Sequence, residues 1–237
     1  QQWASASEYD DKGHQLEFFC KRRAQAFANV GYYSTYTGKA LAAYNMALEI
    51  IEPLADKNTV VAEFQDILAD TLTNRAYLHY ESGQRDMALV DFNVALEIQE
   101  QLANAHPNDV GYRNDLTTTL NNIGLLYYEL GEAEKAYSLY ARSLKVQEQL
   151  VRSNPNTTDF LVTLGAGYVN MGNLQHTSLN DLEAALHSFG KGVEVLSNLL
   201  ESIPTHVDGR RFLRNAYWGR GEAFEALGDW QAAATDW

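Results

Sequence analysis

The chain has 237 residues, a formal net charge of −13 and a pI near 4.8. That balance disfavours nucleic acid and anionic membrane surfaces as partners, because both require Lys and Arg to neutralise phosphates. No apolar run approaches the roughly 18 residues that span a bilayer, and Cys20 is alone, so an internal disulfide is excluded and a reducing, cytoplasmic setting is expected.

In chain order, one beat dominates. Small residues stand at Ala28, Ala76, Gly124, Gly172 and Gly221, spaced 48, 48, 48 and 49. A second series, Ala40, Ala88, Ala136, Ala185 and Ala233, keeps the same step, as does an aromatic one: Tyr44, Phe92, Tyr140, Phe189 and Trp237. A fixed long period means stacked copies of one supersecondary unit. The units fall roughly at residues 8–58, 59–106, 107–154, 155–204 and 205–237, and together form a single solenoid over 1–237.

Within each unit the apolar positions recur at i, i+3 or i+4 and i+7 or i+8, the helical period. Ala40-Leu41-x-x-Tyr44-Asn45-x-Ala47-Leu48-Glu49-Ile50 returns as Ala88-Leu89-x-x-Phe92-Asn93-x-Ala95-Leu96-Glu97-Ile98. In the third unit the first helix is expected from about Val110 to Leu130 and the second from about Glu132 to Arg152. Gly83, Gly131 and Gly228 mark the tight turn between the two helices, where positive φ is needed. Pro107, Pro155 and Pro204 mark the turn between units, whereas Pro53 breaks step and should end or bend the second helix of the first unit. Leu68, Leu116, Leu164 and Leu213, with Phe64, Tyr112 and Phe160, should pack each unit onto the one before. One residue is inserted in the loop His176–Asn180. Gln1–Ser7 read as the tail of a second helix and the fifth unit stops partway at Trp237, so a segment of a longer array is expected. The fold class is all-α: a right-handed solenoid of helix-turn-helix hairpins.

Catalytic and metal chemistry is not expected. His14, His79, His106, His176, His187 and His206 are scattered, with no i, i+4 pairing to build a zinc or di-iron site. His79 shares a core-facing offset with Tyr127 and Phe224, which predicts a hydrogen-bonded core histidine. Gly219-Arg220-Gly221 lies within a helical pattern with no strand before it, so it is no phosphate loop. No cofactor is implied, and the chain reads as a non-enzyme.

The remaining constellation is a ladder of Asn74, Asn122 and Asn170, spaced 48 and 48. Asparagine is a poor mid-helix residue, because its amide competes for backbone hydrogen bonds. Repeating it on three successive first helices therefore calls for a compensating contact. Two positions before the small residue, it should project beside the core stripe, towards the inner face of the superhelix. Either the amides hold the backbone of an extended peptide, or each braces its helix to the next. Around the ladder the same face should carry Tyr77, Tyr80, Asn121, Tyr128 and Trp218, with Arg22, Gln25, Asn29, Tyr32, Val169, Asn173 and His176 nearby. Tyr and Trp supply contact area with a polar tip, which suits a binding groove.

Leu120, Ile123, Gly124, Tyr127, Gly131, Ala136, Tyr140 and Ser143 together resemble the tetratricopeptide repeat pattern, lengthened to 48 residues. Leu120-Asn121-Asn122-Ile123-Gly124 is similar to kinesin-light-chain-like arrays, and Tyr112-Arg113-Asn114-Asp115-Leu116 to arrays in large bacterial signalling proteins beside serine/threonine kinase or caspase-like peptidase domains. Arg75 and Arg220 depart from the pattern, standing where it has an apolar residue, so those helix faces are expected to be partly open. The resemblance implies a scaffold for protein or peptide partners, the adaptor arm of a larger chain, with that chain's own domains among the candidates. The alternative it implies is a ligand-sensing repeat domain controlling an attached kinase or peptidase. In the kinesin-light-chain-like arrays the matching asparagines bind an extended peptide. The basic residues of a carboxylate clamp are not matched in the third unit, where Thr118 and Asn122 stand, so an acidic C-terminal tail is not the expected ligand.

Overall fold

The computed structural model describes Arg22, Gln25, Ala28, Asn29, residues 37–57 and residues 61–236. Among them the regular elements are all helices: α1 (Thr37–Lys57), α2 (Ala62–Glu81), α3 (Arg85–Ala105), α4 (Val110–Glu129), α5 (Ala133–Ser153), α6 (Thr158–Thr177), α7 (Leu182–Ser202), α8 (Val207–Ala226) and α9 (Trp230–Asp236). The expected helices of the third unit match α4 and α5 to within a residue at each end. The chain divides into two compact units, Gln1–His106 and Pro107–Trp237. The division falls at the Pro107 turn.

Each hairpin is closed by one motif. Gly83, Gly131 and Gly228 have φ of 76°, 76° and 79°. Behind them the N–H groups of Gln84, Glu132 and Asp229 reach back to the carbonyls of His79, Tyr127 and Phe224, at 2.8, 2.9 and 3.0 Å. That is the left-handed cap which absorbs the orphan carbonyls of a helix end. The fourth hairpin, with its inserted residue, has no glycine there. Asn180 takes the left-handed role at φ 51°, as the non-glycine residue best suited to it, and Asp181 then caps the Ala184 N–H of α7 at 3.1 Å.

The three in-phase series form one lock. Ala88, Ala136, Ala185 and Ala233 are buried, as are Phe92, Tyr140 and Phe189. A Cβ added to Gly124 would lie 2.6 Å from Tyr140 Cε1, and one on Gly172 would lie 2.7 Å from Phe189 Cδ1. The small residue is therefore the seat of the aromatic ring presented by the second helix of its own hairpin. Burying each ring stabilises by about 1.5–3 kcal/mol, and a larger residue at the seat would forfeit that packing.

In the first unit the core gathers Leu48 and Ile51 of α1, Phe64, Ile67, Leu68 and Leu72 of α2, and Ala95 of α3. In the second unit, Ala136, Tyr140 and Leu144 of α5 pack with Leu164, Met171 and Leu174 of α6. Val169, Ala185, Phe189 and Ala216 continue that core through α6, α7 and α8. Leu68 and Leu164 thus pack with the second helix of the preceding hairpin, as their spacing requires. Pro53 does not end α1, which runs on to Lys57. Pro53 is exposed, and the carbonyl it leaves without an intrahelical partner belongs to exposed Glu49.

The second unit also carries a polar thread. The Ser143 hydroxyl donates to the Thr117 carbonyl at 3.0 Å and accepts from Gln147 Nε2 at 3.1 Å, all within buried residues. Beside it, the phenol of Tyr168 on α6 donates to Glu148 Oε1 of α5 at 2.6 Å. Burial first, and then that carboxylate, push its ionisation above the ordinary tyrosine range. A raised folded-state value means that this contribution to stability is complete below about pH 10 and is lost as pH climbs through the folded value. Urea titrations from pH 9 upwards should therefore show a shallower alkaline loss for Tyr168→Phe than for the natural chain.

Candidate functional site: the first-helix faces

The first helices carry the ladder. In the second unit α4, α6 and α8 lie in succession, with α6 packed against both of the others. Asn122 on α4 and Asn170 on α6 are half-buried, and neither makes a hydrogen bond among the described residues. Asn121 is half-buried too, and its Oδ1 is sealed from solvent with no partner. Tyr128 at the end of α4 exchanges a 2.9 Å hydrogen bond with Thr177 Oγ1 at the end of α6. Trp218 on α8 stands out at 61% exposure. Val169 does not belong to this face: it is 2% exposed, packed into the core beside Ala216. Its neighbours Asn173 and His176 are half-buried.

In the first unit, Asn74 on α2 donates through Nδ2 to the Asp70 carbonyl one turn back, at 2.9 Å. It braces its own helix there, not the next one. Tyr77 is 51% exposed, and its ring lies 6.2 Å from that of half-buried Tyr80. Arg22, Gln25 and Asn29 are exposed, with Gln25 Nε2 donating to Asn29 Oδ1 at 3.2 Å. Tyr32, His14 and Cys20 lie outside the described residues.

The ladder offset has a boundary. At the same position in the fifth unit stands Gly219, where an added Cβ would fall 2.4 Å from Phe189 Cζ. In the fifth unit that offset thus flanks the ring of the preceding second helix.

The faces at Arg75 and Arg220 are partly open, as expected: a cavity of about 450 Å³ is lined by Asn45, Arg75, His79 and Asp91, and Asp236 borders another. Each arginine is nevertheless met by a carboxylate sixteen residues on, in the second helix of its own hairpin. Arg75 Nε and Nη2 donate to Asp91 Oδ2 and Oδ1, both at 2.7 Å. Arg220 repeats this with Asp236 at 2.7 and 2.6 Å. Hydrogen bonding to Asp236 holds the Arg220 guanidinium above its ordinary value. In the third unit the same two offsets carry Ile123 and Leu139, both buried. An apolar pair has been exchanged for an ionic one, and the 16-residue offset was the sequence signal for it. His79 is buried as expected, its Nδ1 2.6 Å from Gln84 Oε1 and its Nε2 4.0 Å from Asp91.

A cavity of about 780 Å³ opens beside α8, lined by Arg210, Leu213, Arg214, Tyr217 and Trp218. The positions matching Arg214 in other hairpins are Ala69, Thr117 and Gly165, all buried. No helix among the described residues is long and apolar enough to cross a membrane.

The family description "Tetratricopeptide repeat" matches residues 68–109 and 116–155, two stretches that begin 48 residues apart. Over those two stretches the chain matches the tetratricopeptide repeat family. Two solved structures share the fold. BtubC (BKLC) from P. vanneervenii is 17% identical, with a TM-score of 0.59 over 94% of this chain and 87% of that one. The apo form of RapI is also 17% identical, with a TM-score of 0.59 over 91% of this chain and 80% of that one. None of the curated proteins compared with the chain matches it.

Proposed function

We propose that this tetratricopeptide repeat chain is a non-enzymatic protein-interaction scaffold that takes an extended peptide segment along its first-helix faces. One observation carries the reading. Asn122 and Asn170 recur at a half-buried offset with amides that bond to nothing else among the described residues. An amide can donate to a peptide carbonyl and accept from a peptide N–H at once, which gives affinity with little sequence selectivity. Exposed Trp218 and Tyr77 supply apolar contact area near the two faces. The net charge of −13 turns the scaffold away from nucleic acid. Service as an adaptor arm for a larger protein, in the reducing cytoplasm, fits a chain with one cysteine.

The test uses a peptide selected from a random display library on the intact chain, with affinity measured by calorimetry. Each lost amide bond costs about 1 kcal/mol, so Asn122→Ala with Asn170→Ala, which removes two bonds per amide, should weaken binding roughly a thousandfold. The fold should persist, alanine being the better helix former. A lower melting temperature with unchanged affinity of the folded fraction would instead make the asparagines structural braces.

A further inference from the structure

Two second helices of the first unit are nearly the same molecule. From Ala40 to Ile50, α1 reads ALAAYNMALEI, and from Ala88 to Ile98, α3 reads ALVDFNVALEI. Both pack on α2, one from the preceding hairpin and one from its own. Hydrophobic packing alone discriminates poorly between them, and exchange of equivalent elements is a characteristic failure of repeat proteins.

Arg75 of α2 reads the difference. Its Nε and Nη2 grip Asp91 of α3, while its Nη1 donates to Asn45 of α1 at 2.9 Å. Asparagine stands at that second offset in both helices, as Asn45 and Asn93. The carboxylate stands in only one: where α3 has Asp91, α1 has Ala43. A copy of α1 placed in the seat of α3 would leave the guanidinium, 21% exposed, without its anion. An α3 placed in the seat of α1 would strand the Asp91 carboxylate, 8% exposed in its native seat. The unpaired charge makes either error costly. The last hairpin carries the same device, with Arg220 on Asp236 while the preceding second helix has Ser188 at the matching place.

We propose that the Arg75–Asp91 pair is a register key, selecting α3 over α1 as the hairpin partner of α2 and suppressing exchange of second helices within and between copies. Its role is choice of partner, not added stability, as for other buried polar groups that specify pairing.

The test is refolding of the full chain from urea across a range of protein concentrations, resolved by size exclusion with light scattering. The key is removed in Arg75→Ile with Asp91→Leu, the residues that stand buried at the same two offsets in the third unit as Ile123 and Leu139. The expected result is a several-fold larger fraction of exchanged dimer, rising with concentration, while the variant monomer melts in urea no earlier than the natural one. Gly165→Ala, which weakens packing but keeps the key, should refold to monomer as the natural chain does. Clean refolding of the keyless variant would overturn the proposal. So would equal exchange by Gly165→Ala, since stability would then be the cause. Failure of the keyless variant to regain native ellipticity would also overturn it, because the pair would then supply stability itself.

Discussion

Replacing Arg75 alone by isoleucine should lower the stability of the first unit by on the order of 3 kcal/mol, among the largest single-residue losses expected in this chain. The reason is what remains. The Asp91 carboxyl is left at 8% side-chain exposure without its guanidinium partner, with His79 Nε2 4.0 Å away. Asp91→Leu should cost less, because the guanidinium it abandons is 21% exposed and can turn its head to water while still donating to Asn45. The double replacement should come back close to the natural stability, since an apolar pair of similar volume often matches or exceeds a buried ion pair. Urea midpoints of the two singles and the double complete the cycle. Additive losses, with no recovery in the double, would show that the pair is effectively solvated and contributes as two separate surface residues.

Adding one methyl group should change stability in opposite directions at two glycines of the same hairpin stack. Gly219→Ala drives a Cβ to within 2.4 Å of Phe189 Cζ, and that ring is already held from the other side by Gly172. Phe189 is fully buried, so it has no free direction in which to yield. Overpacking of about 1–3 kcal/mol should outweigh the roughly 1 kcal/mol that alanine gains over glycine in a helix. Gly190 lies within α7 with nothing inside 4 Å of its added Cβ. Gly190→Ala should therefore gain most of that roughly 1 kcal/mol. Chemical denaturation decides it: two shifts of the same sign would mean that the seat at Phe189 is looser than its geometry.

Much of this architecture was legible before any coordinate. The period, the two helices per unit, the glycine turns and the leucines that stack hairpins all follow from local rules: helical spacing of apolar residues, positive φ at glycine, and prolines between units. Asn180 was hidden because an insertion moved the turn off its glycine, and only the observed φ of 51° shows how the loop compensates. At Pro53, expected to end or bend its helix, the chain does not end the helix, which runs on to Lys57. Val169 misled: its offset on the helix was read correctly, but the neighbouring helix that buries it was not on the same segment.

The sequence by itself determined that this chain is a stack of helical hairpins, acidic, with an asparagine ladder on its first helices and small residues beneath its aromatic rings. Those properties depend on side chains a few residues apart along one helix, where 3.6-residue periodicity dictates who is neighbour to whom. The tertiary structure alone decided which charges are buried and with whom. Arg75 and Arg220 break an apolar face, and the second helix of each hairpin brings a carboxylate to the guanidinium. It also decided that Asn74 spends its amide on its own helix while Asn122 and Asn170 do not. Such outcomes turn on distances between helices, which are fixed by how rings seat against glycines and not by any pattern within one helix.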